Sequence, residues 1–356
     1  MLVEIDGSIG EGGGQILRYS LALSAVLQVP VRIYNIRAKR RNPGLRPQHL
    51  TAVRALAEIT DAIVQGDRVG SMEIVFKPRT RKAGVFEFNI GTAGSVTLVL
   101  QAVLPALLFS DKPSKITISG GTDVPWSPPI DYMRYVFVHN LQLFGAEVKI
   151  ELLRRGHYPR GGGKITVSVE PVKGFLRPIN IVRHNGIIAV RGRSHAVRLP
   201  RHVAERQARA ASTIISEKLG VKPLIDIEFY ERHRDPHLGP GSGIVVYADT
   251  RSGTRLGADS LGERGKPAEK VGVEAALKLV EDAETGMAFD RHMADMLIPY
   301  MFLAKGRSVA GVAKLTSHAL TAIRITKMFL RNTHVEIEGE KDGPGIIRVD
   351  GIGFSR

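Results

Sequence analysis

Glu11 stands inside the glycine turn Gly10 to Gln15 (GEGGGQ), just before an apolar stretch that begins at Ile16. A turn that feeds a helix in this way aims backbone N–H groups and the positive end of the helix dipole at an anion. A carboxylate there can hold a divalent metal beside bound phosphate; a plain turn with an exposed glutamate is the competing reading. Arg37 to His49 (RAKRRNPGLRPQH) packs Arg37, Lys39, Arg40, Arg41 and Arg46 into one short span that ends in Gln48 and His49 at a helix start. That density suits the phosphates of a nucleotide or an RNA end better than the solvated surface that a charge run usually forms. Thr316 to Thr321 (TSHALT) puts His318 in the first turn of a helix, the place His49 takes earlier in the chain. A helix N-terminus disfavours imidazolium, and a nucleophilic imidazole has to be neutral. A structural or exposed histidine fits the same residues. Phe289 to Met296 (FDRHMADM) spaces His292 and Asp295 for one helical face, fit to orient a nucleotide or a reactive histidine, or simply to form a surface pair. His233 and His237 have metal-ligand spacing, although Pro236 lies between them in a loop.

The run Arg155 to Ile165 (RGHYPRGGGKI) is the least ordinary in the chain. Its glycines permit close backbone approach, and Arg155, Arg160 and Lys164 could meet phosphate oxygens. It is not a P-loop, because Gly163 and Lys164 run into a strand-like stretch, Lys164 to Val169, rather than a helix. A tight turn between two strands explains the same residues.

These groups need elements to hold them, and the pattern supplies a repeating set. A strand at Leu2 to Ile5, a helix from Ile16 to Leu27, a strand at Val31 to Ile36 and a helix from Pro47 precede strands at Met72 to Lys77 and Val85 to Ile90. The order returns with the turn Gly91 to Ser95, a buried helix Val96 to Phe109, a strand Lys115 to Ser119, a helix Pro129 to Phe144 and strands Ala146 to Leu152 and Lys164 to Val169. A third copy takes helices at Phe289 to Ala304 and Thr316 to Leu330 and strands at Thr333 to Glu338 and Gly345 to Gly351. The expected fold is therefore α+β, with three βαβαββ units at about 1–90, 91–179 and 282–356. Residues 180–281 differ in texture: a helix Arg201 to Leu219, strands Ile225 to Tyr230 and Gly243 to Ala248, and a loop Glu231 to Ser242 read as a small inserted α/β domain. Its arginines Arg198, Arg201, Arg206 and Arg209 are expected to add RNA affinity rather than chemistry.

The chain has 356 residues, 50 Lys and Arg against 35 Asp and Glu, and a formal net charge of +15. That balance calls for a polyanionic partner, nucleic acid or a phosphorylated substrate. The absence of cysteine excludes disulfides, Fe–S clusters and thiolate nucleophiles. A mean hydropathy of −0.02 with no long apolar run predicts no membrane span, no signal peptide and a cytoplasmic protein.

Taken together, the motifs resemble a family. Arg155 to Ile165 is similar to the signature Arg-Gly-x-x-Pro-x-Gly-Gly-Gly-x-Ile of the RNA 3'-terminal phosphate cyclases. The likeness extends to GEGGGQILR at Gly10 to Arg18, PGLRPQHLTAV at Pro43 to Val53, GTAGSVTLVLQAVLPAL at Gly91 to Leu107 and SGGTDVPWSPP at Ser119 to Pro129. The resemblance implies three repeats like the C-terminal domain of translation initiation factor 3, plus an inserted thioredoxin-like domain. It implies enzymes that use ATP and Mg2+ or Mn2+ to adenylylate a histidine, pass AMP to an RNA 3'-phosphate and close a 2',3'-cyclic phosphate. On this sequence the nucleophile falls on His318 and the metal ligand on Glu11. The nucleotide contacts fall on Gln101, His292, Met293, Ala294, Asp295 and Met296, and the phosphate contacts on Arg18, Arg37, Arg40, Gln48 and His49. The chain departs at Ala322, where bacterial members carry Asn. The family also has a non-catalytic branch in ribosome assembly that lacks the histidine. That branch and a transferase of small phosphorylated metabolites are the alternatives, and the oligomeric state, a homodimer among the options, is left open.

Overall fold

The computed structural model describes residues 2–356. Residues alternate between faces along a strand, so Val3 and Ile5, Val31 and Ile33, and Ile74 and Phe76 all point inward and are buried. Those residues form a four-stranded sheet in the order Val3–Asp6, Val31–Tyr34, Ile74–Lys77, Ile63–Gln65; the first pair is parallel and the others antiparallel. The same connectivity and the same pattern of directions recur in Val85–Asn89, Ser114–Gly120, Gly163–Glu170, Glu147–Arg154. They recur again in Asn180–Ile181, Lys305–Val312, Gly345–Ile352, Val335–Gly339. In each sheet the parallel pair is bridged by a helix or helices, as a parallel connection requires.

Two of the expected elements come out differently. Val85 to Ile90 was expected to close the first unit, but Val85–Asn89 pairs with Ser114–Gly120 and so opens the second sheet. The edge strand of the first sheet is instead the short Ile63–Gln65. Phe289 to Ala304, expected as one helix, is two short ones, Met293–Met296 and Ile298–Leu303. Pro299 has no N–H to continue a hydrogen-bond ladder. Asp290 Oδ1 accepts from the N–H groups of His292 and Met293, both at 2.9 Å, which starts the first helix at 293.

The helix Gly14–Leu27 is central: it packs against Pro47–Thr60, Val96–Leu108 and Ser317–Phe329. This explains why it is apolar nearly all round, with 11 of its 14 residues buried. The fourth sheet, Leu224–Phe229, Ile187–Val197, Gly241–Thr250, Arg255–Leu261, carries helices Arg201–Leu219 and Ala268–Glu284 and has its own apolar cluster around Ile215, Ile244 and Leu279. Among the described residues no helix is long and apolar enough to cross a membrane.

Candidate functional site

The N-termini of four packed helices open onto a single cleft. Gly12, Gly13 and Gly14 lie at the start of the first, Gln48 and His49 in the first turn of the second, Ser95 at the cap of the third and His318 in the first turn of the fourth. The cleft encloses about 620 Å3. Local chemistry fixes each start. Gly10 and Gly12 take φ of +56° and +59°, where only glycine is unstrained. Gly14 is needed for proximity, since a Cβ there would lie 2.3 Å from His49 Nε2. Ser95 Oγ accepts from Leu98 N at 3.2 Å and Thr316 Oγ1 from Ala319 N at 3.1 Å, two ordinary side-chain caps. Ser95 N in turn donates to Gln48 Oε1 at 2.8 Å, tying the second helix to the third.

His49 is held by the backbone: Arg46 N donates to its Nδ1 at 3.1 Å. With Nδ1 an acceptor, the proton of the neutral ring sits on Nε2. Burial, reinforced by the charges of Arg18, Arg37 and Arg46, lowers the pKa of His49 to about 3, so the ring is neutral at working pH. His318 is the second residue of its helix and half exposed, and its Nε2 is 3.5 Å from Glu11 Oε2. Arg40 Nη2 approaches the same carboxylate at 3.5 Å. Gln15 Nε2 donates to the His318 carbonyl at 3.0 Å and to Asp295 Oδ2 at 3.2 Å, and the Tyr19 hydroxyl donates to the Asp295 carbonyl at 2.7 Å. Burial pushes the Asp295 carboxyl above the usual range, against the opposing pull of His318, His292 and Arg18. Arg18 Nε is buried without a protein partner, and desolvation lowers the pKa of the guanidinium. Arg37 Nη1 donates to the carbonyls of Asn42 and Gly44 at 2.6 and 3.0 Å, so it braces its own loop while facing the cleft. Desolvation comes first and repulsion from Arg46 and Arg40 second in lowering its pKa. Among the residues lining the cleft, only Glu11 and Asp295 are carboxylates.

Eight of the residues singled out from the sequence therefore meet in one place: Glu11, Arg18, Arg37, Arg40, Gln48, His49, Asp295 and His318. The remaining five do not. Gln101 and Met296 line an adjoining cavity of only about 20 Å3 that shares Arg18 with the cleft. Met293 and Ala294 are in the core, and His292 lies with its ring edge-on to Tyr132, 6.1 Å between centroids. Ala322 is fully buried. Sequence reasoning gave no role to Gln15, which lies within GEGGGQILR, or to Tyr19, which directly follows it. It also passed over Trp126 and Tyr158, which stand exposed on the cleft rim; Trp126 is the sole tryptophan of the chain and 97% exposed.

Arg155, weighed as a phosphate contact, proves to be a structural residue. Its guanidinium is wholly buried, bound by Asp131 Oδ2 at 2.5 Å, Glu228 Oε2 at 2.7 Å and Asp123 Oδ2 at 3.2 Å. Lys164 pairs with Glu87 at 3.0 Å. Of the arginines of residues 180–281 expected to serve RNA, Arg201 and Arg206 are already paired with Glu205 and Glu269. Arg198 donates to the His237 carbonyl.

Comparison with known proteins adds a second line of observation. The family profile described as RNA 3'-terminal phosphate cyclase matches residues 9–336. A protein of Staphylothermus marinus named RNA 3'-terminal phosphate cyclase is 68% identical over 354 residues, 99% of each chain. Proteins with the same name from Desulfurococcus amylolyticus and Methanopyrus kandleri are 58% identical over 99% of each chain and 54% identical over 98% of each chain.

Proposed function

The chain belongs to the RNA 3'-terminal phosphate cyclase family, and from that premise we propose that it converts an RNA 3'-terminal phosphate to a 2',3'-cyclic phosphate at the expense of ATP. One observation carries the reading: four helix N-termini, three arginines and a histidine with an accessible ring converge on one cleft. Helix starts and guanidinium groups together favour several phosphates at once. His318 Nε2 attacks the α-phosphorus of ATP; the bond to the β-phosphate oxygen breaks and pyrophosphate leaves. An oxygen of the RNA 3'-phosphate then takes the adenylyl group from His318. The vicinal 2'-hydroxyl attacks the activated phosphate and expels AMP, closing the ring. Arg18, Arg37 and Arg40 hold phosphate oxygens while negative charge builds up in these steps. His49 and Gln48 contribute as neutral donors. Gln15 fixes the backbone at His318 and keeps Asp295 in place.

Glu11 fits a hard divalent ion: it is a carboxylate at the cleft surface beside the place for phosphates, the setting in which Mg2+ combines one or two carboxylates with substrate oxygens. Bound there, Mg2+ or Mn2+ would neutralise phosphate charge. The adenine would lie toward Gln101, Met296 and His292, which requires the small cavity beside Arg18 to open. The rim aromatics Trp126 and Tyr158 offer faces for RNA bases, which supports RNA over a small metabolite as the partner. We read the three like sheets as the βαβαββ repeats of the family and residues 180–281 as its inserted domain, and place the protein in the cytoplasm.

The non-catalytic alternative keeps the basic cleft but has no use for an accessible histidine beside Glu11. The test is incubation of the protein with ATP, Mg2+ or Mn2+ and an oligoribonucleotide ending in a 3'-phosphate. Formation of a phosphatase-resistant cyclic end with release of AMP and pyrophosphate is the expected result. RNA binding with a steep salt dependence and no such product would favour the assembly-factor reading, and indifference to the RNA end would favour the transferase.

A further inference from the structure

Away from the cleft, buried imidazoles collect where the loops of the second sheet meet the fourth sheet. Asp123 follows Ser114–Gly120, His157 lies between Glu147–Arg154 and Gly163–Glu170, and His195 is inside Ile187–Val197. All three are buried, and one potential ligand atom from each lies within 4.8 Å of the others. Nε2 of His157 and Nε2 of His195 are 3.0 Å apart. Glycines of the strand Gly241–Thr250 make room for both rings: a Cβ on Gly241 would reach 2.0 Å from His157 Cγ, and one on Gly243 3.0 Å from His195 Cε1.

His237 supplies an independent sign. It is 2% exposed, and its Nδ1 is 2.7 Å from Asp235 Oδ1, so Nδ1–H donates to the carboxylate and Nε2 is left as a bare lone pair. That Nε2 is buried with no hydrogen-bond partner among the described residues. A carboxylate that fixes the tautomer while the far nitrogen is free is the usual setting of a metal-bound histidine. The segment that carries it packs on the loop of His157: the neighbouring Leu238 fills the space beside Gly162, where a Cβ would lie 2.2 Å from Leu238 Cδ1, and Gly161 pairs with His157.

We propose that Asp123, His157 and His195 form, with His237 moving in to complete the shell, a closed site for one divalent ion of the zinc type, which clamps the fourth sheet to the second. Two or three imidazoles with one carboxylate are a zinc-type donor set, and full burial marks a structural rather than a catalytic site. A tetrahedral ion with metal–nitrogen bonds of about 2.0–2.1 Å separates two imidazole nitrogens by about 3.3 Å, so the His157 and His195 rings need to part only slightly. The rings move a proton between their own nitrogens on binding, and none is released. Asp123 is already held in place, with Asp131 and Glu228, around the buried Arg155, so its carboxylate is positioned before any ion binds. His233, the other half of the spacing noted in the sequence, is exposed and takes no part.

The experiment uses the full chain, treated with a chelator and then titrated with Co2+ in the absence of ATP. One equivalent of Co2+ should bind with the visible absorption of a tetrahedral ion, Zn2+ should displace it, and Zn2+ should raise the unfolding temperature. His157→Gln and His195→Gln should each abolish the band, and Asp235→Asn should weaken affinity about 10-fold or more. Glu11→Ala and His318→Ala should keep it. If the histidine variants fail to fold, native mass spectrometry of the wild type with Zn2+ decides. No bound equivalent, a band that survives in the double variant His157→Gln/His195→Gln, or a band lost only with Glu11→Ala would overturn the proposal.

Discussion

Two regions of this molecule combine glycines with arginines, and they use them in opposite ways. Around Gly10 to Gly14, Arg18, Arg37 and Arg40 face open space, and the single carboxylate near Arg40 is 3.5 Å away. Around Gly156 and Gly161 to Gly163, Arg155 is sealed from solvent by three carboxylates at 2.5 to 3.2 Å. The residue types alone do not separate a ligand site from a structural node. What separates them is whether the protein has already supplied the anions: a cation left short of partners at converging helix starts awaits a ligand, whereas one saturated by carboxylates is finished.

The comparison can be broken by substitution. Arg155→Met should have the largest effect on stability, about 3–5 kcal/mol, because it leaves Asp123, Asp131 and Glu228 facing one another without their shared cation. Denaturant unfolding reads this, and a loss below about 1 kcal/mol would show that the node is dispensable. Arg40→Ala should do the reverse, lowering kcat/KM for ATP by about 10²-fold while changing stability by no more than about 0.5 kcal/mol.

A pH series sharpens the contrast. The pKa of His49 is depressed in the folded protein, so the unfolded chain binds the proton more readily between about pH 6.5 and 3, and stability falls as pH is lowered through that window. The contribution is at most about 1.4 kcal/mol per pH unit. His49→Gln should flatten the dependence of the urea midpoint by that share; an unchanged slope would mean that His49 is not held neutral. The smallest effect belongs to Lys164→Ala, which removes an exposed pair with Glu87 and should cost less than about 1 kcal/mol with no change in activity.

Much of the cleft was legible in the sequence because its parts are local signals. A glycine turn before an apolar helix, cations crowded between prolines and a histidine in a first helical turn can each be recognised without knowing the fold. What stayed hidden depends on pairing across long separations. The fate of Arg155 is set by Glu228, 73 residues away, and that of Asp295 by Gln15, 280 residues away. The strand Ile187–Val197 was not assigned from the sequence; Gly192 and the flanking Arg191 and Arg193 interrupt its apolar pattern. The glycine is there because a Cβ would come 2.6 Å from Val245 O of the neighbouring strand. Edge strands as short as Ile63–Gln65 carry too few residues to show a period.

The central claim, that the open cleft is the reactive region and His318 its nucleophile, is tested most directly by incubating the protein with ATP labelled on the α-phosphorus and mapping the retained label. We expect one acid-labile AMP per chain, located on His318, absent from His318→Ala and present in an Arg155 variant that still folds. Label retained equally by His318→Ala, or none on the wild type, would contradict the account.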